Sequence, residues 1–492
     1  MPIYELLKKI YFNSPIQFQT YLSEIIFKKR RKNYIFSKVY NETYKQLEQS
    51  QWWSRAKHED HRFMEMKKLL EHAYNTTKYY RKLFDEYDIV PNKVKEPEDI
   101  LKIPYLTKEI VSENIQDMIS SKFSNGQIQY ASTGGSTGIP LGFYIEKDVT
   151  MAKESAFIDI QWARVGYDHK SRPRQLRIRR NLNSYREKYN SLWYYRQSEN
   201  HLVFSGHRLE RQSLSKLFSL LKKYKPEFIV TVPSICVELA DYFSTINSDI
   251  KLSLKAILLS SENIYDQQRD YIENVFSSKV FGLYGNTERT VMAANCEHSY
   301  YYHVVPEYAF TELIDIKGNW IQNDGELGEI ISTGFNNYVM PFIRYRTGDM
   351  ATHSNDNCKC GRNYPLWKRI EGRLQELAVT KNNSKISIAP ALLCNIPNED
   401  YIKIKEFQVV QKEPGKLIVN IVRREQFSEA ETSKVMYNLI NERFEGLFDV
   451  EIAFVDFIPR TQQNKFRFFI QEINLNHPMI HVQFRKGKNN EK

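Results

Sequence analysis

The sequence predicts an α/β protein: a large N-terminal body of mostly parallel sheet covered by helices, then a small α+β unit. Three observations predict it. At 492 residues the chain is too long for a single core. Between residues 100 and 340 short apolar runs alternate with amphipathic stretches. After Arg373 the pattern changes to strands around one helix.

The apolar runs are Phe228-Ile229-Val230-Thr231-Val232, Ala256-Ile257-Leu258-Leu259 and Val280-Phe281-Gly282-Leu283-Tyr284. Such runs, bounded by turns and separated by helices, suit strands buried on both faces of a parallel sheet. Ligands of such sheets bind beyond the carboxyl ends of the strands. Ser260-Ser261-Glu262 and Gly285-Asn286-Thr287-Glu288 are expected at those ends. From 300 to 370 shorter strands are expected, as in Glu326–Thr333. Beyond 374, Phe407–Val410, Leu417–Val422 and Val450–Val455 read as strands, with a helix near 428–443. Residues 1–60 read as a helical extension rich in aromatic residues, among them Tyr11, Phe18, Tyr40, Trp52 and Trp53. Residues 61–90 read as a helix, with Met64, Leu69, Leu70, Ala73 and Tyr80 near helical period. The expected division is 1–60, 61–373 and 374–492.

Composition narrows the function classes. The chain is 41% hydrophobic and 26% charged, ordinary for a globular protein. No stretch reaches the 18 or so apolar residues of a membrane span, and Met1–Lys9 does not read as a signal peptide. Five cysteines, an odd count, suit free or metal-bound thiols in a reducing, cytoplasmic setting. The net charge of +11 suits an anionic partner. No zinc-finger spacing or RNP motif points to nucleic acid. Lys28-Lys29-Arg30-Arg31-Lys32 follows Ile25-Ile26-Phe27, either as a solvated helix end or as a peripheral membrane contact.

The richest stretch is Ser132-Thr133-Gly134-Gly135-Ser136-Thr137-Gly138-Ile139-Pro140. Glycines let backbone N–H groups approach a ligand, and hydroxyls add donors, so the stretch suits phosphates. A flexible surface loop has the same composition. It is not a Walker loop, because Ile139 stands where Lys is required, and it lacks G-x-G-x-x-G spacing.

Four more stretches follow: Tyr284-Gly285-Asn286-Thr287-Glu288, Tyr345-Arg346-Thr347-Gly348-Asp349, Glu371-Gly372-Arg373 and Pro459-Arg460-Thr461-Gln462-Gln463-Asn464-Lys465. In this order and spacing the five motifs resemble the adenylate-forming superfamily of acyl-CoA synthetases, adenylation domains and luciferases. Within it the chain is most similar to the phenylacetate–CoA ligase-like branch, which includes capsular polysaccharide biosynthesis-type proteins. Leu101–Lys108, Phe204-Ser205-Gly206-His207, Val232-Pro233-Ser234 and Leu259-Ser260-Ser261-Glu262 also resemble that branch. The resemblance spans residues 60 to 475.

The resemblance implies a large N-terminal domain, a small mobile C-terminal one and ATP-dependent activation of a carboxylic acid with pyrophosphate release. Thr133, Gly135, Ser136, Thr137 and Gly138 would hold the phosphates. Glu288 would bind Mg²⁺, Thr287 would touch the α-phosphate, and Tyr284 would stack on adenine beside Gly285, Ser261 and Glu262. Asp349 would accept hydrogen bonds from the ribose, with Arg373 in support. Lys465 would bridge the attacking carboxylate and the α-phosphate. The chain departs from the pattern at Gly134 (often Ser), Ile139 (often Lys), Gln375 (the hinge place, usually acidic) and Asn464 (usually Gly). Glu288 as a helix-terminal charge, Asp349 as a turn residue and Tyr284 as core are the structural alternatives.

Cys358-Lys359-Cys360-Gly361 forms a second constellation with Cys296 and one of His298 or His303. Three thiolates and an imidazole suit a tetrahedral structural Zn²⁺ site; buried free thiols are the alternative. The branch resemblance favours His303. Cys236 and Cys394 read as core. His207 would lie near the acyl or CoA path, or start a helix.

The expected function is therefore acyl-adenylate formation followed by transfer to CoA, a carrier protein or an amine. Branch resemblance adds surface polysaccharide assembly, with an amino sugar as one acceptor. The rival expectation is a non-catalytic nucleotide-binding partner of a glycan-assembly complex.

Overall fold

The computed structural model of the chain describes residues 37–133, 141–179, 193–206, 211–245, 252–373 except 316, 377–382, 385–388, 403–460 except 425 and 445, and 466–473, with isolated positions elsewhere. A twelve-stranded sheet organises the large N-terminal part. Gln175–Arg179, His201–Ser205, Phe228–Thr231, Ala256–Ser260 and Val280–Gly285 form its parallel half, in the spatial order 201–205, 175–179, 228–231, 256–260, 280–285. Trp193–Arg196 closes the outer edge antiparallel.

Both faces of this half are covered, as the apolar runs require. Ile257 and Leu259 pack with the helices Arg211–Tyr224, Pro233–Thr245 and Asp266–Phe276. Their neighbours Ala256 and Leu258 pack on the other face with Trp162 of helix Thr150–Ala163. The period-two alternation of a strand thus sends successive apolar side chains into two cores. Cys236 is one of the wholly buried residues; Cys394 lies outside the described residues.

The second half of the sheet is antiparallel. Met292–Ala294 pairs with Val280–Gly285, and Tyr302–Val304, Leu366–Arg373, Tyr345–Ser354, Leu327–Gly334 and Ala309–Ile314 follow in that order. The expectation of shorter strands fails here. Tyr345–Ser354 has ten residues, and Leu327–Gly334 and Leu366–Arg373 have eight each. The turn signals within them, Thr347-Gly348 and Glu371-Gly372, are bulges rather than strand ends. Ile331 pairs with Arg346 and Glu329 with Met350, so Ile330 alone faces Thr347, Gly348 and Asp349. Gly348 takes φ +72°, a conformation that suits glycine.

Helices cap themselves with local hydroxyls. Ser37 accepts from the Tyr40 N–H at the start of Lys38–Ser50, and Ser54 from Lys57 at the start of Arg55–Thr76. The helix expected over 61–90 is two helices, Arg55–Thr76 and Lys78–Glu86. Thr77 breaks it: extended in backbone, it accepts from the Tyr80 N–H through the hydroxyl that also donates to the Ala73 carbonyl. Residues of these helices join Phe143, Phe342 and Tyr345 in one core.

A separate four-stranded sheet follows, in the order Asp449–Phe454, Lys416–Arg423, Ile404–Gln411, Phe469–Gln471. The helix Glu429–Phe444 covers it through Met436, Leu439 and Ile440. The three expected strands and the helix lie within three residues of the expected bounds; Phe469–Gln471 is a fourth strand that was not expected. Arg424 donates to Asp241 Oδ1 at 2.7 Å, tying this unit to helix Pro233–Thr245. Among the described residues no helix is long and apolar enough to cross a membrane. Of the basic cluster, Lys28 is described and exposed; Lys29–Lys32 lie outside the described residues.

One buried ion pair ties the approach to strand Tyr345–Ser354 to strand Ala309–Ile314 and to residues 101–103. Arg344 donates from Nη2 to Glu312 Oε1 at 2.8 Å and from Nε to Oε2 at 3.2 Å, with both side chains at most 2% exposed. Its Nη1 donates to the Leu101 and Ile103 carbonyls. Removing one partner of such a pair strands a buried charge, at a cost of about 3–5 kcal/mol, whereas replacing both with apolar residues of like volume costs much less. Arg344→Ala is therefore expected to lower the denaturation midpoint sharply, and Arg344→Met with Glu312→Leu to restore most of it. Equal midpoints for wild type and Arg344→Ala would refute this.

Candidate functional site

The candidate nucleotide site lies where the parallel half of the sheet ends. Val280–Gly285 is its last parallel strand, and the chain leaves it through Asn286-Thr287-Glu288. That loop is locked locally. Asn286 donates from Nδ2 to the Thr290 hydroxyl at 2.7 Å, and the Thr290 N–H donates back to Asn286 Oδ1 at 2.9 Å. Arg289 takes φ +58° and donates to the Thr287 carbonyl. The lock leaves Thr287 exposed and turns Glu288 inward, to 6% exposure.

The bulged strand Tyr345–Ser354 meets the loop twice. The Tyr345 hydroxyl donates to Glu288 Oε1 at 2.7 Å. The Tyr284 hydroxyl donates to Asp349 Oδ2 at 2.8 Å. The bulge sets the second contact: Thr347 donates its hydroxyl to the Ile330 carbonyl and accepts from the Asp349 N–H. Asp349 faces Arg373 directly across the strand pair; the Arg373 side chain lies outside the described residues. Trp367 lies edge-on to the Tyr284 ring at 6.1 Å between centroids. One strand thus meets both Tyr284, through Asp349, and Glu288, through Tyr345.

Ser261 and Glu262 follow the neighbouring strand. Ser261 takes φ +69° and is exposed. Glu262 Oε2 accepts from the Ser234 N–H at the start of helix Pro233–Thr245, at 3.0 Å; among the described residues, buried Glu262 Oε1 has no hydrogen-bond partner. Ser261 and Arg289 each hold a left-handed backbone beside a candidate residue, Glu262 and Glu288, and Arg344 holds one at the head of the strand that carries Asp349. Such strained positions gather where the surrounding structure fixes a site.

The Gly-rich stretch is described only at its base. Ile128–Ser132 and Gly142–Glu146 form a hairpin. Thr133 closes it, donating its N–H to the Leu141 carbonyl and accepting from the Leu141 N–H on its hydroxyl, both at 2.9 Å. Gly135, Ser136, Thr137 and Gly138, with Gly134 and Ile139, lie outside the described residues, as do His207, Gln375, Asn464 and Lys465.

The second constellation is assembled. Cys296, His303, Cys358 and Cys360 bring their ligand atoms within 4.8 Å of one another. Cys296 Sγ and Cys358 Sγ lie 3.5 Å apart, and Cys360 Sγ lies 3.3 Å from His303 Nε2. A tetrahedral ion with metal–sulfur bonds of about 2.3 Å needs ligand atoms about 3.8 Å apart, so the four residues fit Zn²⁺. His303 Nδ1 lies 3.2 Å from the Tyr301 carbonyl, a partner that leaves Nε2 for a metal. His298 instead contributes its backbone N–H, to Cys296 Sγ at 3.3 Å. A hydrogen bond from Cys296, then burial opposed by His303 and the Arg362 N–H, leaves the Cys360 thiol well below its ordinary pKa.

The knuckle that supplies two of the four ligands also grips the N-terminal segment. Arg362 donates to Gln51 Oε1 at 2.8 Å and lies 4.7 Å over the Trp52 ring. Asn363 donates to the Trp53 carbonyl at 2.9 Å. Tyr364 and Ser50 both donate to Glu307, a carboxyl that burial raises above its usual range. The sequence reading missed these contacts and the Tyr345–Glu288 bond. Tyr345 heads a quoted motif, so its position was visible and its partner was not.

Comparison with known proteins follows the same lines. Residues 379–472 match the family model described as the CapK C-terminal domain. The chain is 25% identical to the protein CapK of Staphylococcus aureus over 95% of this chain and 100% of that one. It is 24% identical to the phenylacetate–coenzyme A ligase of Thermus thermophilus over 72% of this chain and 78% of the other. Among solved structures, 2-hydroxyisobutyryl-CoA ligase in the postadenylation state superposes with a TM-score of 0.67, at 19% identity, over 85% of this chain and 90% of that one. Motif order, the C-terminal match and these likenesses agree: along most of its length the chain is similar to CapK and to the phenylacetate–CoA ligases, and it shares the fold of 2-hydroxyisobutyryl-CoA ligase.

Proposed function

We propose that this chain makes an acyl-adenylate from ATP and a small carboxylic acid, releases pyrophosphate, and passes the acyl group to a thiol, with CoA as the first acceptor. The observation that carries the reading is that strand Tyr345–Ser354 meets both Tyr284, through Asp349, and Glu288, through Tyr345, where the parallel half of the sheet ends. The relatives named as phenylacetate–CoA ligases, and the solved ligase in complex with its acyl-AMP, support both the reaction and the acceptor. The likeness to CapK over nearly all of the chain is in keeping with a surface-polysaccharide setting; an amino sugar or a carrier thiol as later acceptor rests on the branch resemblance alone.

The chemistry assigns each residue a task. A carboxylate oxygen attacks the α-phosphorus, the bond to the bridging oxygen breaks, and pyrophosphate leaves. The work is mostly positioning and charge stabilisation. Tyr284 gives adenine a flat wall, beside Ser261 and Glu262. Asp349 accepts from the ribose hydroxyls, with Arg373 in support. Thr287, exposed beside the strand end, offers its hydroxyl to the α-phosphate. Glu288 is the carboxylate for Mg²⁺, a hard cation that would neutralise the phosphates. The stretch from Thr133 to Gly138 wraps those phosphates, and Lys465 brings its ammonium to the α-phosphate as the small C-terminal unit closes. The Cys296–His303–Cys358–Cys360 cluster would hold a structural Zn²⁺ that pins the 358–364 knuckle and, through it, residues 50–58.

Pyrophosphate release across aryl, fatty, hydroxy and amino acids, with hydroxylamine to trap the adenylate, tests the first reading. One acid class is expected to respond, and Lys465→Ala to lower its rate about 10²–10³-fold with the melting temperature unchanged. Release at the wild-type rate from that variant would sink the assignment. For the metal, protein purified without added zinc is expected to carry one equivalent. Chelation is then expected to expose residues 50–58 to protease. Zinc well below one equivalent would end that reading.

A further inference from the structure

Tyr345 has no assigned task in adenylation, yet it is the residue that holds Glu288. Its side chain is wholly buried, and its hydroxyl donates to Glu288 Oε1 at 2.7 Å. The ring packs against Phe342 at 5.2 Å between centroids. The backbone on either side is pinned: the Leu106 N–H donates to the Arg344 carbonyl, and the Arg346 N–H donates to the Leu106 carbonyl, at 3.0 and 2.9 Å. Arg344 in turn is fixed by Glu312 and two carbonyls. The donor to Glu288 is therefore set by the core of the large domain and not by the loop that carries Glu288.

The chemistry of that donor is informative. A buried carboxylate could be satisfied by Arg or Lys, as Glu312 and Glu329 are. A cation there would cancel the charge that a divalent ion needs. A phenol is neutral: it occupies one lone pair of Oε1, fixes the rotation of the carboxylate, and leaves the full negative charge for a metal. Outer-shell donors of this kind orient metal-ligating side chains and tune their affinity. Tyr345 and Glu288 also lie 57 residues apart in sequence, so the bond ties the loop after the parallel strands to the antiparallel half of the sheet.

We propose that Tyr345 is a positioning residue for the divalent cation of the nucleotide site: it aims Glu288 at Mg²⁺ without neutralising it. This rests on the reading of Glu288 given above. The test needs no acid substrate. ATP affinity is measured by calorimetry over a range of Mg²⁺, and in EDTA, for wild type, Tyr345→Phe, Glu288→Gln and the double variant. Tyr345→Phe keeps the ring against Phe342; its melting temperature without nucleotide reports the purely structural share of the hydroxyl.

The expected result has three parts. Tyr345→Phe matches wild type in EDTA but needs about tenfold more Mg²⁺ to reach half of its gain in affinity. Glu288→Gln loses the Mg²⁺-linked gain. The double variant behaves as Glu288→Gln alone. An unchanged Mg²⁺ midpoint in Tyr345→Phe overturns the proposal while leaving Glu288 as the ligand. A wild-type Mg²⁺ response in Glu288→Gln overturns the reading of Glu288 and with it the role of Tyr345. A lower melting temperature with an unchanged Mg²⁺ midpoint makes the hydroxyl structural and likewise overturns the proposal.

Discussion

The buried pair of Arg344 and Glu312 is the constraint on which the site depends. A guanidinium in an apolar core is tolerable only when its donors are used, and Arg344 spends its donors on Glu312 and on the Leu101 and Ile103 carbonyls. That fixes the residue immediately before the strand Tyr345–Ser354. From Arg344 the strand's register is set, and three consequences follow within five residues. Tyr345 reaches Glu288, Thr347 ties the bulge to the Ile330 carbonyl, and Asp349 emerges opposite Tyr284. The adenylation chemistry proposed here requires a metal carboxylate and a ribose carboxylate in fixed relation. One strand, anchored at one end by one ion pair, supplies that relation.

The bulge explains why a strand can do this. In regular pleat, residues four apart share a face and point the same way. Tyr345 and Asp349 have different tasks, one inward to Glu288 and one outward to Tyr284. Inserting residues opposite Ile330 re-aims the second without disturbing the first, and only a glycine passes easily through the φ +72° at position 348. The Thr-Gly-Asp order is thus a structural requirement as well as a motif: hydroxyl to fix the bulge, glycine to turn, carboxylate to meet Tyr284.

The sequence was most legible where period and burial coincide. Ala256–Leu259 announces a strand buried on both faces because every residue is apolar, and its side chains do alternate between two cores. The same holds for Glu429–Phe444, whose apolar positions repeat at helical spacing. Legibility failed where a local turn signal lay inside a longer element. Gly348 and Gly372 lie at bulges inside strands of ten and eight residues, where shorter strands were expected. Thr77 reads as an ordinary helical residue and is the cap that divides two helices. For the candidate site, Cys296, Cys358 and Cys360 were named from their chemistry and His303 from the branch resemblance, and the fold gathers them. What no spacing reveals is a contact between elements far apart in sequence. The phenol of Tyr345 on Glu288 is such a contact, and the grip of Arg362 on Gln51 and Trp52 is another.

That second grip bears on how the N-terminal segment earns its place. Helix Lys38–Ser50 has two attachments of different kinds. Tyr40 donates to Asp159 at 2.8 Å, inside a small core with Ala152 and Ala156. At the other end the chain from Ser50 to His58 is held almost wholly by polar and aromatic contacts to Glu307, Arg362, Asn363 and Tyr364. Such contacts need a rigid partner, because each is worth little once the geometry wanders. Residues 358–364 form a glycine-containing loop without regular secondary structure, and a loop of that kind is rigid only when something closes it. Cys358 and Cys360 stand at its start, beside Cys296 and His303 from two other strands' ends. An ion shared by the four would tie the loop to the sheet, and the N-terminal segment would then pack against a fixed edge.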